Sequence, residues 1–278
     1  MSGGGDDLES DDEYLNQDWH TNQKVDVELD ESNNKRSHSE IGKPEETDAL
    51  LLPSNKKAKS PKHFLIEHAR EISQKDGDVQ ASFLWTAYTH ALALKGEDSS
   101  EDKFTADQFA KPREDGKNSS SKYERSMVKY LKSGVLFSMK RLKKWRHEKS
   151  PCVIIVCISA LRAVAVLKEI SSLNIRAAKL FAKHMKISDQ VNMLNENSYS
   201  IAVGTPGRLL KLTETKDGDG DEALSLEHTE LILIDCAEDK KKFTVCASND
   251  TAPDLMKLIQ SGVIPQMKKR KTIKFGMF

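Results

Sequence analysis

The 278 residues carry 43 Lys+Arg against 43 Asp+Glu, and that balance hides a split: residues 1–50 hold 15 acids and 4 bases, leaving 39 bases against 28 acids in the rest. The longest uncharged apolar run, residues 152–161, is far short of the roughly 20 residues a membrane helix needs. The first seven residues, Met-Ser-Gly-Gly-Gly-Asp-Asp, have neither the cationic nor the apolar region of a signal peptide. The chain therefore reads as soluble and intracellular, and the four cysteines, Cys152, Cys157, Cys236 and Cys246, without any C-x-x-C spacing, read as reduced thiols in a core.

Only 14 of the first 60 residues are hydrophobic, too few to offset the entropy of ordering, so residues 1–61 read as a disordered acidic tail. Its end, Lys56-Lys-Ala-Lys-Ser-Pro-Lys62, is a basic import-like cluster. Residues 62–278 form the folded part, with a helical section over 62–148 and a core over 149–278. Phe64, Leu65, His68 and Ile72 recur at helical spacing, and 79–94 is apolar over most of a helical surface, with Trp85, Tyr88 and Leu92 on one face as a packing stripe. Residues 95–121, with Gly96, Pro112, Gly116 and Ser119–Ser121, read as a loop. A basic helix is predicted over 122–149, with ten bases and two acids; Lys140, Arg141 and Lys143 on it face either phosphates or water.

After Pro151 the period changes. Strands are predicted at 152–158, 176–181, 199–204 and 231–235, alternating with helices at 160–172, 188–195 (capped by Ser188) and 205–212, with a Gly/Asp loop at 215–222 and a short terminal strand within 272–278. Apolar strands without polar alternation, joined by helices, imply an α/β fold with a mostly parallel sheet covered on both faces. Ligands of such sheets bind at the carboxyl ends of strands, here the loops at Ser159, Thr205 and Asp235. In Thr205-Pro-Gly-Arg208, Thr205 is placed to cap a helix, Pro206 to start it, Gly207 to let a backbone approach, and Arg208 to offer a forked donor to phosphate.

Three strand ends together resemble the first RecA-like domain of the DEAD-box RNA helicases. Residues 201–210, IAVGTPGRLL, are similar to that family's strand followed by T-P-G-R; 158–163, ISALRA, to a weakened P-T-R-E-L element; and 231–239, LILIDCAED, to the strand ending in D-E-A-D. The resemblance implies that the first two elements grip an RNA backbone through Arg162, Thr205, Gly207 and Arg208, and that the third is the place for magnesium and the attacking water. The catalytic parts are missing. No G-x-x-x-x-G-K-[ST] loop occurs; near Gly116-Lys117-Asn118 the first glycine position holds Lys111, and Asn118 replaces the hydroxyl residue. Asp235 is kept, but Cys236 stands where the water-positioning Glu belongs, Glu238 replaces the final Asp, and no second RecA-like domain fits in the chain.

Residues 178–186 (AKLFAKHMK), 203–208 (VGTPGR) and the terminal KFGMF resemble the Cms (complementation of Mcm suppressor) family of DEAD-box-like, small-ribosomal-subunit homologue proteins. That resemblance implies a single degenerate RecA-like domain without ATPase activity or cofactor. It further implies a nuclear, nucleolar factor of early small-subunit assembly and pre-rRNA processing, with pre-ribosomal RNA and assembly proteins as partners and neither membrane nor small-molecule substrate. Two other readings stand beside it: an active ATP-dependent RNA helicase-like enzyme using Lys117 and Asp235, and a protein-interaction module whose basic surfaces meet acidic partners. No histidine, including His63, His68 and His184, has metal-ligand spacing.

Overall fold

The computed structural model describes residues 60–97, 102–110, 126–135, 138–183, 185–270 and 272–278. The predicted acidic tail, the import-like cluster up to Lys59, Lys117 and His184 lie outside them. Five strands, β1 (Val153–Val156), β2 (Ala177–Leu180), β3 (Ile201–Gly204), β4 (Leu231–Ile234) and β5 (Lys274–Met277), form one sheet in the order β2-β3-β1-β4-β5, and every pairing is parallel. Each predicted strand is present, trimmed by one or two residues at one end or both.

Strand residues alternate between two apolar cores because successive side chains point to opposite faces. Ile154, Val156, Ile232, Ile234 and Phe275 enter one core, and Val153, Ile155, Ile201, Leu231 and Leu233 the other. Each such aliphatic, fully buried, stabilises the fold by roughly 1.5–3 kcal/mol. The first core is covered by α1 (Pro61–His68) and α2 (Gly77–Leu94) from the amino-terminal section. Asp76 starts α2 by accepting a hydrogen bond from the Val79 amide at 2.9 Å. Tyr88 and Leu92 of the predicted stripe are buried, and Trp85 stacks on Tyr88 at 5.6 Å between centroids.

The crossovers all share one hand, as the right-handed rule requires. Only β1 to β2 runs toward the β2 edge, and its helix α5 (Ala160–Ile170) packs on the second core. Every other connection runs the opposite way, and α6 (Ile187–Glu196), α7 (Pro206–Glu214) and α8 (Ala252–Leu258) pack on the first core.

Several expectations are corrected. The basic stretch is not one helix: its described residues form α3 (Met127–Tyr130), a π-helical turn (Leu131–Val135) and α4 (Met139–Lys143). The second helix closes in a tightened last turn, where the Leu142 carbonyl accepts from the Trp145 amide at 3.2 Å and also from Ser200 Oγ at 2.5 Å. Ser188 does not cap α6; Lys186 occupies the cap position without a side-chain bond. The predicted 95–121 loop contains a packed segment, in which Phe104 meets Phe275 edge-on at 5.4 Å and Phe109 forms a single parallel bridge with Phe275. Helices α8 and α9 (Ile264–Lys269) have no counterpart among the predicted elements. The four cysteines are buried and none forms a disulfide, as expected. Among the described residues no helix is long and apolar enough to cross a membrane.

Gly204, at the end of β3, tolerates no side chain: a β-carbon there would stand 2.4 Å from the Leu180 carbonyl oxygen and 2.9 Å from Leu209. A strand carbonyl cannot swing aside. Gly204→Ala is expected to destabilise the domain by about 1–3 kcal/mol, measured as a lower urea midpoint in circular dichroism.

Candidate nucleic-acid interface

The seven residues expected to contact RNA do not come together. Arg162, Thr205, Gly207 and Arg208 lie at the carboxyl edge of the sheet, whereas Lys140, Arg141 and Lys143 lie on α4 at the amino edge, where Ser200 and Glu230 begin β3 and β4. The strands between span roughly 13 Å at ~3.3 Å per residue.

At the carboxyl edge β1 and β4 are neighbours whose connections diverge, which makes the gap between them the place where a doubly wound sheet receives its ligand. That gap is filled from within. Ser159 caps α5 by accepting from the Arg162 amide at 3.2 Å, and this first turn aims the Arg162 side chain across to Asp235. The guanidinium makes two bonds to the carboxylate, Nε to Oδ2 at 2.5 Å and Nη2 to Oδ1 at 3.1 Å. Asp235 is fully buried and Arg162 about a quarter exposed, at 28%. Burial opposes the charge of Arg162, and the Asp235 bond and charge outweigh it, so its pKa is raised. Burial and the adjacent Asp235 push the Cys157 thiol far above its ordinary range, and Cys236 is fully buried beside the pair.

The T-P-G-R turn is also satisfied internally. Pro206 does start α7, but Thr205 makes no side-chain cap bond; its carbonyl accepts from the Arg208 and Leu209 amides. Arg208 donates through Nη1 to Gln190 Oε1 at 2.8 Å and through Nη2 to the Met185 carbonyl at 3.1 Å. Gln190, fully buried, completes the knot by donating to the Lys179 and Phe181 carbonyls. Burial lowers the Arg208 pKa. Gly207 serves a close approach, but the group that approaches is a carboxylate: a β-carbon at Gly207 would stand 2.6 Å from Asp254 Oδ2. An acid therefore already stands beside the start of α7, where free amides would otherwise favour an incoming anion.

Glu238 carries the third closure. Arg70, just after α1, grips it with bonds of 2.7 and 2.9 Å, and Lys242 adds a contact at 3.4 Å. The Arg70 bond holds the Glu238 carboxyl at about 2, below its ordinary 4.5, against the opposing effect of burial.

At the amino edge Arg141 is paired with Glu230 at 2.6 Å, while Lys140 and Lys143 are exposed. Trp145, His147, His228 and Arg270 gather around them. None of these four was expected as a site residue; the available signal was the aromatic set inside a basic run, Lys143-Lys-Trp-Arg-His147. His228 and Arg270 are far away in sequence and carry no local signal.

The architecture is a parallel α/β domain whose ligand-binding edge is closed by its own ion pairs. The chain matches the family model described as "CMS1: U3-containing 90S pre-ribosomal complex subunit" over residues 106–277, well over half its length, and it belongs to that family. Protein CMSS1 of Xenopus laevis is 33% identical over 156 residues, 55% of this chain and 54% of its own length. Protein CMSS1 of Danio rerio is 32% identical over 156 residues, covering 55% and 51%. Protein CMS1 of Chaetomium thermophilum is 38% identical over 114 residues, covering 40% and 43%. The match spans about half the length of these curated relatives.

Two measurements check the closure. Arg162→Met strands the Asp235 carboxylate in the core and is expected to cost toward the lower end of about 3–5 kcal/mol, because Arg162 is partly exposed; Arg162→Met with Asp235→Leu should recover much of it in urea titrations. For Glu238 the folded carboxyl lies at about 2 against an ordinary 4.5, so its stabilisation is complete above about 4.5 and is lost as pH falls toward 2. The stability difference between the parent and Glu238→Gln should therefore shrink across that interval in acid titrations followed by circular dichroism.

Proposed function

We propose that this chain is a non-catalytic, RNA-associated ribosome biogenesis factor, a subunit of the U3-containing 90S pre-ribosomal complex that acts in early small-subunit assembly. Its domain is a degenerate RecA-like domain with the ATPase parts lost. The observation that carries the reading is the Arg162–Asp235 pair: the carboxylate that the helicase resemblance assigns to magnesium is fully buried and committed to an arginine of the same chain. A thiol, Cys236, is fully buried at the next position, where no solvent reaches it. The ribosomal context is taken from the family description, and the basic balance of residues 51–278 supports an RNA partner. Pre-ribosomal RNA and small-subunit assembly proteins are the proposed partners, and the nucleolus the proposed location, with the basic cluster at 56–62 as import signal.

The test is nucleotide turnover by the full chain with and without single-stranded RNA. ATP hydrolysis should stay at background for the parent, Lys117→Ala and Cys236→Glu alike. RNA-stimulated hydrolysis that disappears in Lys117→Ala overturns the reading in favour of an active helicase-like enzyme. Affinity purification of the tagged chain should recover small-subunit precursor RNA.

A further inference from the structure

We propose that the RNA contact of this chain lies at the amino edge of the sheet, in a groove that holds single-stranded RNA with a phosphate on Arg270 and bases against the rings of His147 and His228, with the buried Trp145 supporting them from below. The inference rests on the reading of the chain as RNA-associated and adds the place of contact, opposite the edge where helicase-like sheets bind.

The groove is built by tertiary hydrogen bonds. Trp145 donates through its indole nitrogen to the Ser150 carbonyl at 2.9 Å, and the Ser150 hydroxyl accepts from the His228 amide at 2.8 Å, so one turn ahead of β1 sets both rings. His147 lies edge-on to Trp145 at 4.7 Å and stacks on His228 at 3.9 Å and 23°. The Arg141 guanidinium sits 5.7 Å from the Trp145 ring centre. Burial, then His228 and Arg141, lower the pKa of His147, which favours the neutral ring that a stacked pair requires.

These rings wall a cavity of about 270 Å³ closed by Arg270 and Thr272. Nε and Nη2 of Arg270 are shielded from solvent and have no hydrogen-bond partner among the described residues. A guanidinium in that condition is incomplete, and a forked oxyanion fits it. The carboxylate in the cavity is not free to serve: Glu230 gives Oε1 to Arg141 at 2.6 Å and Oε2 to the Cys152 thiol at 3.6 Å. No described residue supplies the missing acceptor, and an RNA phosphate would complete it.

Two more cavities adjoin through Trp145, of about 300 Å³ with Lys140, Lys144 and Arg146, and about 460 Å³ with Lys143 and Arg176. Arg176 is steadied by Asn197 at 2.8 Å and lies 5.7 Å from the Tyr199 ring centre. The series follows the edge of a five-stranded sheet, roughly 19 Å at ~4.8 Å per strand spacing, which is room for several nucleotides. Cations spaced between ring faces are how single strands are held without sequence reading. An acidic peptide would use the cations and leave the stacked rings idle, so RNA fits the whole arrangement better.

The experiment is fluorescence anisotropy of a labelled 12-residue oligouridylate with the full chain at several salt concentrations. Arg270→Gln should weaken binding about tenfold and flatten the salt slope by about one charge. His228→Ala should weaken it severalfold with the slope unchanged, separating stacking from charge. Lys143→Gln with Arg146→Gln should flatten the slope by about two, while Lys183→Gln, an exposed cation at the carboxyl edge, should match the parent. Photocrosslinking of 4-thiouridine RNA to the unaltered chain, which needs no variant to fold, should label residues 141–147 and 227–230. Parent-like binding by every amino-edge variant, or crosslinks at 159–162 and 205–208, overturns the site while leaving the chain RNA-associated. Direct binding of a labelled polyglutamate 12-mer, together with no measurable RNA affinity in the parent, overturns both the site and the RNA reading, and makes the groove a protein contact.

Discussion

A parallel sheet buried on both faces leaves its two edges as the only places where strand ends can meet another molecule, and the state of those edges governs everything else in this fold. At the carboxyl edge the Arg162–Asp235 pair closes the gap between β1 and β4. Two charges so shielded cannot serve a ligand without breaking their mutual bonds, and the remaining charge would then be stranded in the core. The same pair ties the start of α5 to the end of β4, so closure of the site and stability of the fold are one interaction.

The neighbouring turns are closed in the same way. Arg208 is held by Gln190 and the Met185 carbonyl, Asp254 stands over Gly207, and Arg70 holds Glu238. Each residue type suits phosphate or metal chemistry in isolation, and each charged one has found a partner inside the chain, a counter-charge for Arg162 and Glu238 and neutral acceptors for Arg208. A parallel α/β domain that satisfies the polar groups at its own ligand-binding edge holds that edge rigid.

The amino edge has the opposite character. There β1, β3 and β4 begin beside Trp145, two stacked histidines and a guanidinium that lacks an acceptor among the described residues. Polar groups left unsatisfied in a packed structure are costly, and they persist where a partner completes them. The contrast between a satisfied edge and an unsatisfied one, rather than any single motif, distinguishes the two ends of the sheet.

Much of this was legible from residue order. The apolar runs at 152–158, 199–204 and 231–235 are too continuous for exposed strands and announce a parallel sheet, and Pro206 after a strand announces a helix start, because period and backbone preference are local properties. The same locality explains what the sequence misjudged. Ser188 and Thr205 have the right chemistry for caps but make no cap bonds, and the Leu142 carbonyl at the end of α4 takes a hydroxyl from Ser200, 58 residues away. Arg162 looks like a phosphate ligand until Asp235, 73 residues on, is brought to it. The sequence alone determined the fold class and the charge, while only the tertiary structure decided which arginines are spent and which is left open. Counter-charges are paired by folding across long separations, and no local pattern records that pairing.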